Sequence, residues 1–382
     1  MAFVERRGPK RWRARYRGPD GRERSQTFDR KVDAERFLAE MQVAKNRGAW
    51  VDPRAGRIPF GEWAAECYAA RVDLRESSRA RDEAYLRLHV LPHFDRVPLT
   101  RIERRAVQDW IGVLSAKGLA PATVRACHRL LSGMLSEAVE ARLIGQSPCR
   151  GIKLPRIPRT EQRFLTAIEV ERLAEGIGSQ FAPLIYFGAY LGGRWGELVG
   201  LKRERLNLLR RQVQIIGTLE EVRGQLRYAE ETKTSASRRL ITIPAFLCEI
   251  LARHLERAPA SEFVFTGPQG TLLRRSNFRR RHFKPALAAA GVDPELRFHD
   301  LRHTCAALMI EQGAHPKEIQ ERLGHSSIKT TLDLYGHLMP TLGARLDDAL
   351  ERAHRDAKAN LLRPARGLDV VGLEAAEGGN AS

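Results

Sequence analysis

RFHDLRHTCAALMIEQGAHPKEIQERLGHSSIKTTLDLYGHL, residues 297–338, is the stretch from which the rest of the chain can be read. It carries a His-x-x-Arg at His299 and Arg302, a further histidine, His325, in LGH, and a lone tyrosine, Tyr335, in DLYGH. The guanidinium and the imidazoles supply positive charge and hydrogen-bond donors for a phosphate. An imidazole can take a proton, and a phenol oxygen can attack. Such a set can act on a phosphodiester without a metal or a nucleotide.

The surrounding composition agrees with an anionic partner. The 382 residues are enough for two or three domains, and 43% hydrophobic content supports packed cores. Lys and Arg number 65 against 46 Asp and Glu, a formal net charge of +19, which points to a polyanion. The bland alternative is a soluble protein that happens to be basic. Cys67, Cys127, Cys149, Cys248 and Cys305 are widely spaced and form no C-x-x-C pair, so neither a disulfide framework nor a zinc knuckle is expected. MAFVERRGPKRW lacks the apolar segment of a signal peptide, and no apolar run is long enough to span a bilayer. Nucleic acid in a reducing, cytoplasmic compartment is therefore the expected setting, with no membrane partner.

The fold class expected is multidomain and mainly α, with small β elements. Residues 1–56 read as a small sheet (three strands) plus a helix. RWRARYR alternates strictly, so Arg11, Arg13, Arg15 and Arg17 share one strand face and Trp12, Ala14 and Tyr16 the other. The turn GPDG leads to a further strand, RERSQTF. A helix from about Asp29 then presents Ala34, Phe37, Leu38 and Met41 to the Trp12/Tyr16 side. The arginine face suits a DNA groove, or else a solvated edge strand kept soluble by charge.

Residues 57–148 read as a helical bundle. One stripe is Phe60, Trp63, Ala64, Cys67 and Tyr68. A helix with Leu86 and Val90 ends at Pro92, and Thr100–Glu103 reads as a capping box before Val107, Trp110, Ile111 and Leu114. Gly118 closes that helix and Pro121 opens a long one. Residues 149–162, rich in Pro and basic residues, read as a linker. Residues 163–350 form a mixed α+β domain. Thr166–Glu169 starts a helix, and an apolar helical pair breaks at Gly192-Gly193. The strands are QVQIIGT, GQLRYAE and RRLITIP, with KTSAS as a hairpin turn before the last. Residues 351–382 hold the end of a final helix and a disordered tail. Leu342, Leu346 and Leu350 recur every four residues on that helix, packing on the helix's own domain or on a neighbouring subunit.

Chemistry narrows the candidates. Arg302 and Arg194, the latter in GGRWGEL, can each meet a phosphate with paired hydrogen bonds, and Glu197 can hold the Arg194 guanidinium. A phenol with an ordinary pKa near 10 lies about 4 kcal/mol from its phenolate at neutral pH, so a base and nearby cations must help. His299 can take the proton and His325 can donate to a phosphate oxygen. Lys233, in ETKTSASRR, is one candidate for the acid that protonates a leaving oxygen, although a hairpin lysine is commonly only solvated.

Taken together, GGRWGEL, TKTSASRR, HDLRHT and LGHSSIKTTLDLYGH resemble, in order and separation, the tyrosine recombinase (phage integrase) family. The resemblance covers nearly the whole chain. It implies an arm-site DNA-binding module, a SAM-like core-binding bundle and a catalytic domain. It implies that Arg194, His299, Arg302 and His325 surround a scissile phosphate, with Glu197 in support. Lys233 is then the general acid, and Tyr335 the nucleophile that forms a 3′-phosphotyrosyl link. The implied function is integration, with or without excision, of a phage or mobile element. The implied partners are double-stranded DNA at core and arm sites, a homotetramer on that DNA, a directionality factor and a DNA-bending host protein. Neither cofactor nor metal is implied. One departure is Gly193, where the family commonly has leucine; the missing side chain is expected to loosen packing under Arg194.

Four other readings compete, one being a type IB topoisomerase, which shares the tyrosine chemistry but would not need the N-terminal module. A chromosome-dimer resolvase would resemble only the bundle and catalytic domains. A DNA-binding regulator would share the charge without the chemistry. A metal hydrolase could use His299 and His303, four apart on a helix, but the intervening DLR lacks the glutamate of HExxH.

Overall fold

The computed structural model describes residues 2–18, 21–46, 55–72, 74–158, 162–230, 238–339 and 342–361. The chain divides into two units, Met1–Glu161 with Glu220–Arg227, and Gln162–Leu219 with Tyr228–Ser382.

In the first unit, β1 (Phe3–Gly8), β2 (Arg11–Arg17) and β3 (Glu23–Phe28) form an antiparallel sheet in that order, followed by α1 (Lys31–Asn46). The strict alternation of β2 buries Ala14 and Tyr16. The Phe37 ring from α1 lies edge-on to Tyr16 at 5.5 Å and against Phe28 at 5.3 Å, closing this small core. Because β2 is the central strand, bonded on both sides, the solvated-edge alternative is overturned. The four-arginine face also carries its own anions. Glu5 lies 3.7 Å from Arg13 and 3.5 Å from Arg15, and Glu23 lies 3.2 Å from Arg15.

The bundle uses α2 (Phe60–Ala70), α3 (Glu76–Tyr85), α4 (Leu91–Phe94), α5 (Arg104–Ala116) and α6 (Pro121–Glu140). Phe60, Val90, Phe94, Trp110, Leu131 and Met134 lie in one core. Two expectations are corrected here. Pro92 does not end its helix: a π-turn over Leu86–Val90 joins α3 to α4, and Pro92 sits in the first turn of α4, where its missing N–H is tolerated. Thr100 does not cap α5. Leu99–Arg101 forms a 3-10 turn that buries Leu99, and Glu103 stands at the N-cap without a side-chain cap bond.

The start of the expected linker is anchored to this core. Cys149 is buried, and Ile152 and Leu154 pack on the bundle. The Gln108 side chain accepts from the Lys153 N–H (2.8 Å) and donates to its carbonyl (3.1 Å).

The second unit begins with α7 (Ala167–Ile177), whose Thr166–Glu169 capping box forms as expected, then α8 (Ala182–Leu191) and α9 (Trp195–Val199). Strands β4 (Leu206–Asn207) and β5 (Gln212–Ile215) pair with β8 (Arg239–Thr242), while β6 (Thr218–Val222) and β7 (Gln225–Ala229), most of whose residues belong to the first unit, form a separate pair. Strands β7 and β8 therefore belong to different sheets. The expected turn KTSAS, and Lys233 with it, lies outside the described residues. The helices that follow are α10 (Ala245–Arg257), α11 (Arg275–Phe278), α12 (Lys284–Ala289), α13 (Asp300–Glu311), α14 (Pro316–Leu323), α15 (Ile328–Tyr335) and α16 (Leu342–Leu361). In α16, Leu350 is exposed, and the side chains of Leu342 and Leu346 lie outside the described residues, as does the expected disordered tail from residue 362. Among the described residues no helix is long and apolar enough to cross a membrane.

Candidate active site

The break between α8 and α9 sets the first guanidinium. Gly192 is left-handed (φ +70°), and an added Cβ there would lie 2.3 Å from Leu323 Cδ2. The left-handed turn stops α8 and lets Arg194 become the N-cap of α9. At Gly193, an added Cβ would lie 2.2 Å from Leu198 Cδ2. Leu198 already fills the space that a larger residue would use, so the expectation of loose packing under Arg194 is corrected. The neighbouring Trp195 ring is wedged between Phe278 (5.0 Å) and Phe298 (4.9 Å).

Arg194 donates to Glu197 Oε1 (2.7 Å) and to the Gly324 carbonyl (3.3 Å). A second arginine meets the same carboxylate: Arg239, from β8, donates to Glu197 Oε2 (2.8 Å) and to the Arg322 carbonyl (2.8 Å). Both carbonyls belong to the C-terminal end of α14, where the helix dipole favours cations. Burial pushes the Glu197 carboxyl up, but the Arg239 guanidinium, and then Arg194, overcome this and hold it at about 2.

Arg302 lies in the first turn of α13, 3% exposed. It donates to the Gly192 carbonyl at 2.7 Å. Its Nη2 is buried and meets no acceptor among the described residues. Burial first, then Arg194 and Arg239, lower its pKa to about 9, still well above neutrality. A buried donor without an acceptor is costly and demands an anion or water.

Tyr335 closes α15 and is fully buried. Burial pushes its phenol up to about 12, although Arg302 opposes the shift. Its ring stacks near His325 at 6.4 Å, and its hydroxyl lies 2.8 Å from His303 Nδ1. His325 follows the left-handed Gly324 that ends α14, and its Nδ1 shares a 2.9 Å hydrogen bond with the buried Thr331 hydroxyl. His299 packs edge-on against His303 at 5.1 Å rather than bonding the phenol. Burial, reinforced by neighbouring cationic and imidazole groups, lowers both His299 and His325 to about 4.

Arg194, Glu197, His299, Arg302, His325 and Tyr335 are thus tied into one contact network within the second unit. Sequence reasoning missed Arg239 and Thr331, and named His303 only as a possible metal ligand. Arg239 shares the alternating face of RLITI with the buried Ile241 and Ile243, and a charge on such a face requires a buried partner. His303 lies one helical turn beyond His299. Thr331 lies one turn before Tyr335 on the same helix. The predicted DNA-contact residues Arg11, Arg13, Arg15 and Arg17 belong to the first unit.

Comparisons with known proteins give the family of the chain. Residues 163–341 match the phage integrase family, residues 4–47 the phage integrase N-terminal domain, and residues 60–115 the phage integrase N-terminal SAM-like domain. The chain is 30% identical over 340 residues to the prophage phiRv2 integrase of Mycobacterium tuberculosis, covering 84% of this chain and 88% of that one. It shares the fold of the Tn1549 transposon integrase solved with transposon right end DNA (TM-score 0.66, 19% identity, 78% of this chain and 100% of that one). It also shares the fold of a lambda integrase tetramer solved on a Holliday junction (TM-score 0.58, 18% identity, 85% and 95%). The chain belongs to the phage integrase family and is a site-specific tyrosine recombinase.

Proposed function

We propose that Tyr335 is the nucleophile and that Arg194 and Arg302 bind the scissile phosphate, with Glu197 orienting Arg194. The observation that carries this reading is the buried Nη2 of Arg302, which points a donor at no protein acceptor among the described residues. A non-bridging phosphate oxygen supplies the missing acceptor, in the paired geometry that a guanidinium favours. His325, steadied by Thr331, donates to a second oxygen through its other ring nitrogen, and His299 lines the same pocket. A phenol held at about 12 costs about 7 kcal/mol to ionise at neutral pH, so the proton leaves as attack proceeds. The phenol oxygen bonds to phosphorus, the bond to the 5′-oxygen breaks, and Lys233 protonates that oxygen as general acid. The 3′-phosphotyrosyl ester conserves most of the bond energy, and rejoining reverses the step.

On the same reading, the bundle grips core-type DNA and the N-terminal sheet binds arm-type DNA through Arg11, Arg13, Arg15 and Arg17. The match of residues 4–47 to a phage integrase N-terminal domain supports an integrase over a chromosome-dimer resolvase. The tetrameric lambda relative on a Holliday junction supports a tetramer as the working assembly. A directionality factor and a DNA-bending host protein would complete that assembly in a prokaryotic cytoplasm. The test is a nicked duplex that traps cleaved DNA. The full chain should yield a protease-sensitive DNA adduct, and Tyr335→Phe should bind the duplex without yielding one. An adduct retained by Tyr335→Phe would move the nucleophile elsewhere.

A further inference from the structure

The contact that the proposed roles leave unused is the 2.8 Å hydrogen bond between the Tyr335 hydroxyl and His303 Nδ1. We infer that His303 is the catalytic base that accepts the phenol proton during strand cleavage; the inference rests on Tyr335 being the nucleophile.

Three observations support it. First, the phenol is fully buried, so its proton has no direct path to bulk water. Second, among the described residues His303 is the phenol's hydrogen-bond partner, while the His325 Nδ1 is engaged by Thr331 and the His299 ring packs edge-on to His303. Third, the surroundings keep His303 neutral and able to accept. Burial lowers its pKa; Asp300 opposes the shift, and Arg297 and Arg302 add to it. The other titratable groups facing it are His299 and His325, both neutral at pH 7, and the phenol itself. In the Nε2–H tautomer, Nδ1 offers its lone pair to the phenol O–H.

The step balances. The Tyr335 O–H proton passes to His303 Nδ1 as the phenol oxygen bonds to phosphorus. The bond from phosphorus to the 5′-oxygen breaks, and that oxygen takes its proton from the general acid. In the reverse step, the imidazolium returns its proton to the departing phenol, so the enzyme is restored without a co-reactant.

The test is single-turnover cleavage by the full chain of a nicked duplex carrying the junction sequence of its element. Tyr335→Phe checks the parent reading by itself: an adduct there sinks the nucleophile, whatever His303 does. With that control blank, His303→Gln should bind DNA as before and cleave about 10²–10⁴-fold more slowly. Its rate should climb with pH between 6.5 and 8.5, where the unsubstituted chain stays flat. Replacing Tyr335 in that variant by a more acidic fluorotyrosine should recover part of the rate, which a merely structural role would not allow. An unchanged rate and profile would overturn the assignment. So would faster cleavage, which would make the bond a latch on the nucleophile. Should His303→Gln not fold, the unsubstituted chain is measured in H₂O and D₂O on a 5′-phosphorothiolate duplex, whose leaving group needs no proton. A solvent isotope effect above unity supports proton transfer at the phenol, and its absence overturns the proposal.

Discussion

Replacing Arg239 by methionine should destabilise the second unit by about 3–5 kcal/mol, the usual consequence of stranding one member of a buried ion pair. Glu197 is 4% exposed, and its two oxygens are divided between Arg194 and Arg239. The Arg239 side chain is 6% exposed against 40% for Arg194, so Arg239 is the less screened partner. A carboxyl held at about 2, against an ordinary 4.5, corresponds to about 3 kcal/mol of stability at neutral pH. Methionine keeps much of the volume. It leaves the carboxylate to a half-exposed arginine and strips the Arg322 carbonyl of its donor. The folded pKa of Glu197 lies below the unfolded one. Its contribution is therefore complete above about pH 4.5 and is lost as the pH falls towards 2. In Arg239→Met the carboxyl moves back up, and the acid loss of stability begins at higher pH. Arg239→Lys keeps the charge but cannot bond both acceptors in the same fork, and should fall between the two. Urea unfolding at neutral and acidic pH, followed by circular dichroism, measures each effect. A loss under about 1 kcal/mol, the scale of a surface pair, would refute the claim that Arg239 holds Glu197.

Gly193→Leu, although it restores the residue common in the family, should destabilise by about 1–3 kcal/mol, because its Cβ collides with Leu198. Adding Leu198→Ala should cost less in that variant than in the unsubstituted chain; additive effects in thermal unfolding would show that the two positions do not compete for space. Replacing Arg13 and Arg15 by alanine should weaken arm-type DNA binding and flatten its salt dependence by about 0.9 per lost phosphate contact, while core-site cleavage persists. Fluorescence anisotropy across a salt series reads this, and unchanged arm binding would leave those arginines only the role of pairing with Glu5 and Glu23.

What could be read from sequence were residues whose chemistry is declared by motif and order. Arg194 with Glu197, His299 with Arg302, His325 and Tyr335 are each marked by close neighbours in the sequence. Contacts made between distant segments were not legible in the same way. Arg239 reaches Glu197 across 42 positions and the Arg322 carbonyl across 83. His303 was visible one turn from His299, but only as a possible metal ligand. Local rules also lost to packing. Thr100 and Glu103 have capping-box spacing, but burial of Leu99 draws that segment into a 3-10 turn. Pro92 has the look of a stop, but the preceding π-turn absorbs its missing donor. Cys149 and Ile152 looked like linker because a short extended segment has no periodicity to reveal that it packs.

The charge of the network bears directly on the proposed reaction. Among the described residues, Arg194, Arg239 and Arg302 contribute three positive charges and Glu197 one negative, leaving two, to which the proposed Lys233 would add a third; Arg297 and Asp300 pair with each other. A phosphodiester carries one negative charge, and the five-coordinate phosphorus formed by phenolate attack carries two. The site is therefore better matched to the transition state than to the bound substrate, which is where stabilisation accelerates a reaction. Guanidiniums supply the positive charge found among the described residues. Even Arg302, at about 9, remains protonated at pH 7, while His299 and His325, at about 4, stay neutral. Positive charge held by arginine leaves the imidazoles unprotonated, so that one of them can receive the phenol's proton. Had the imidazoles carried the charge instead, the pocket could not have bound the anion and accepted a proton at the same pH.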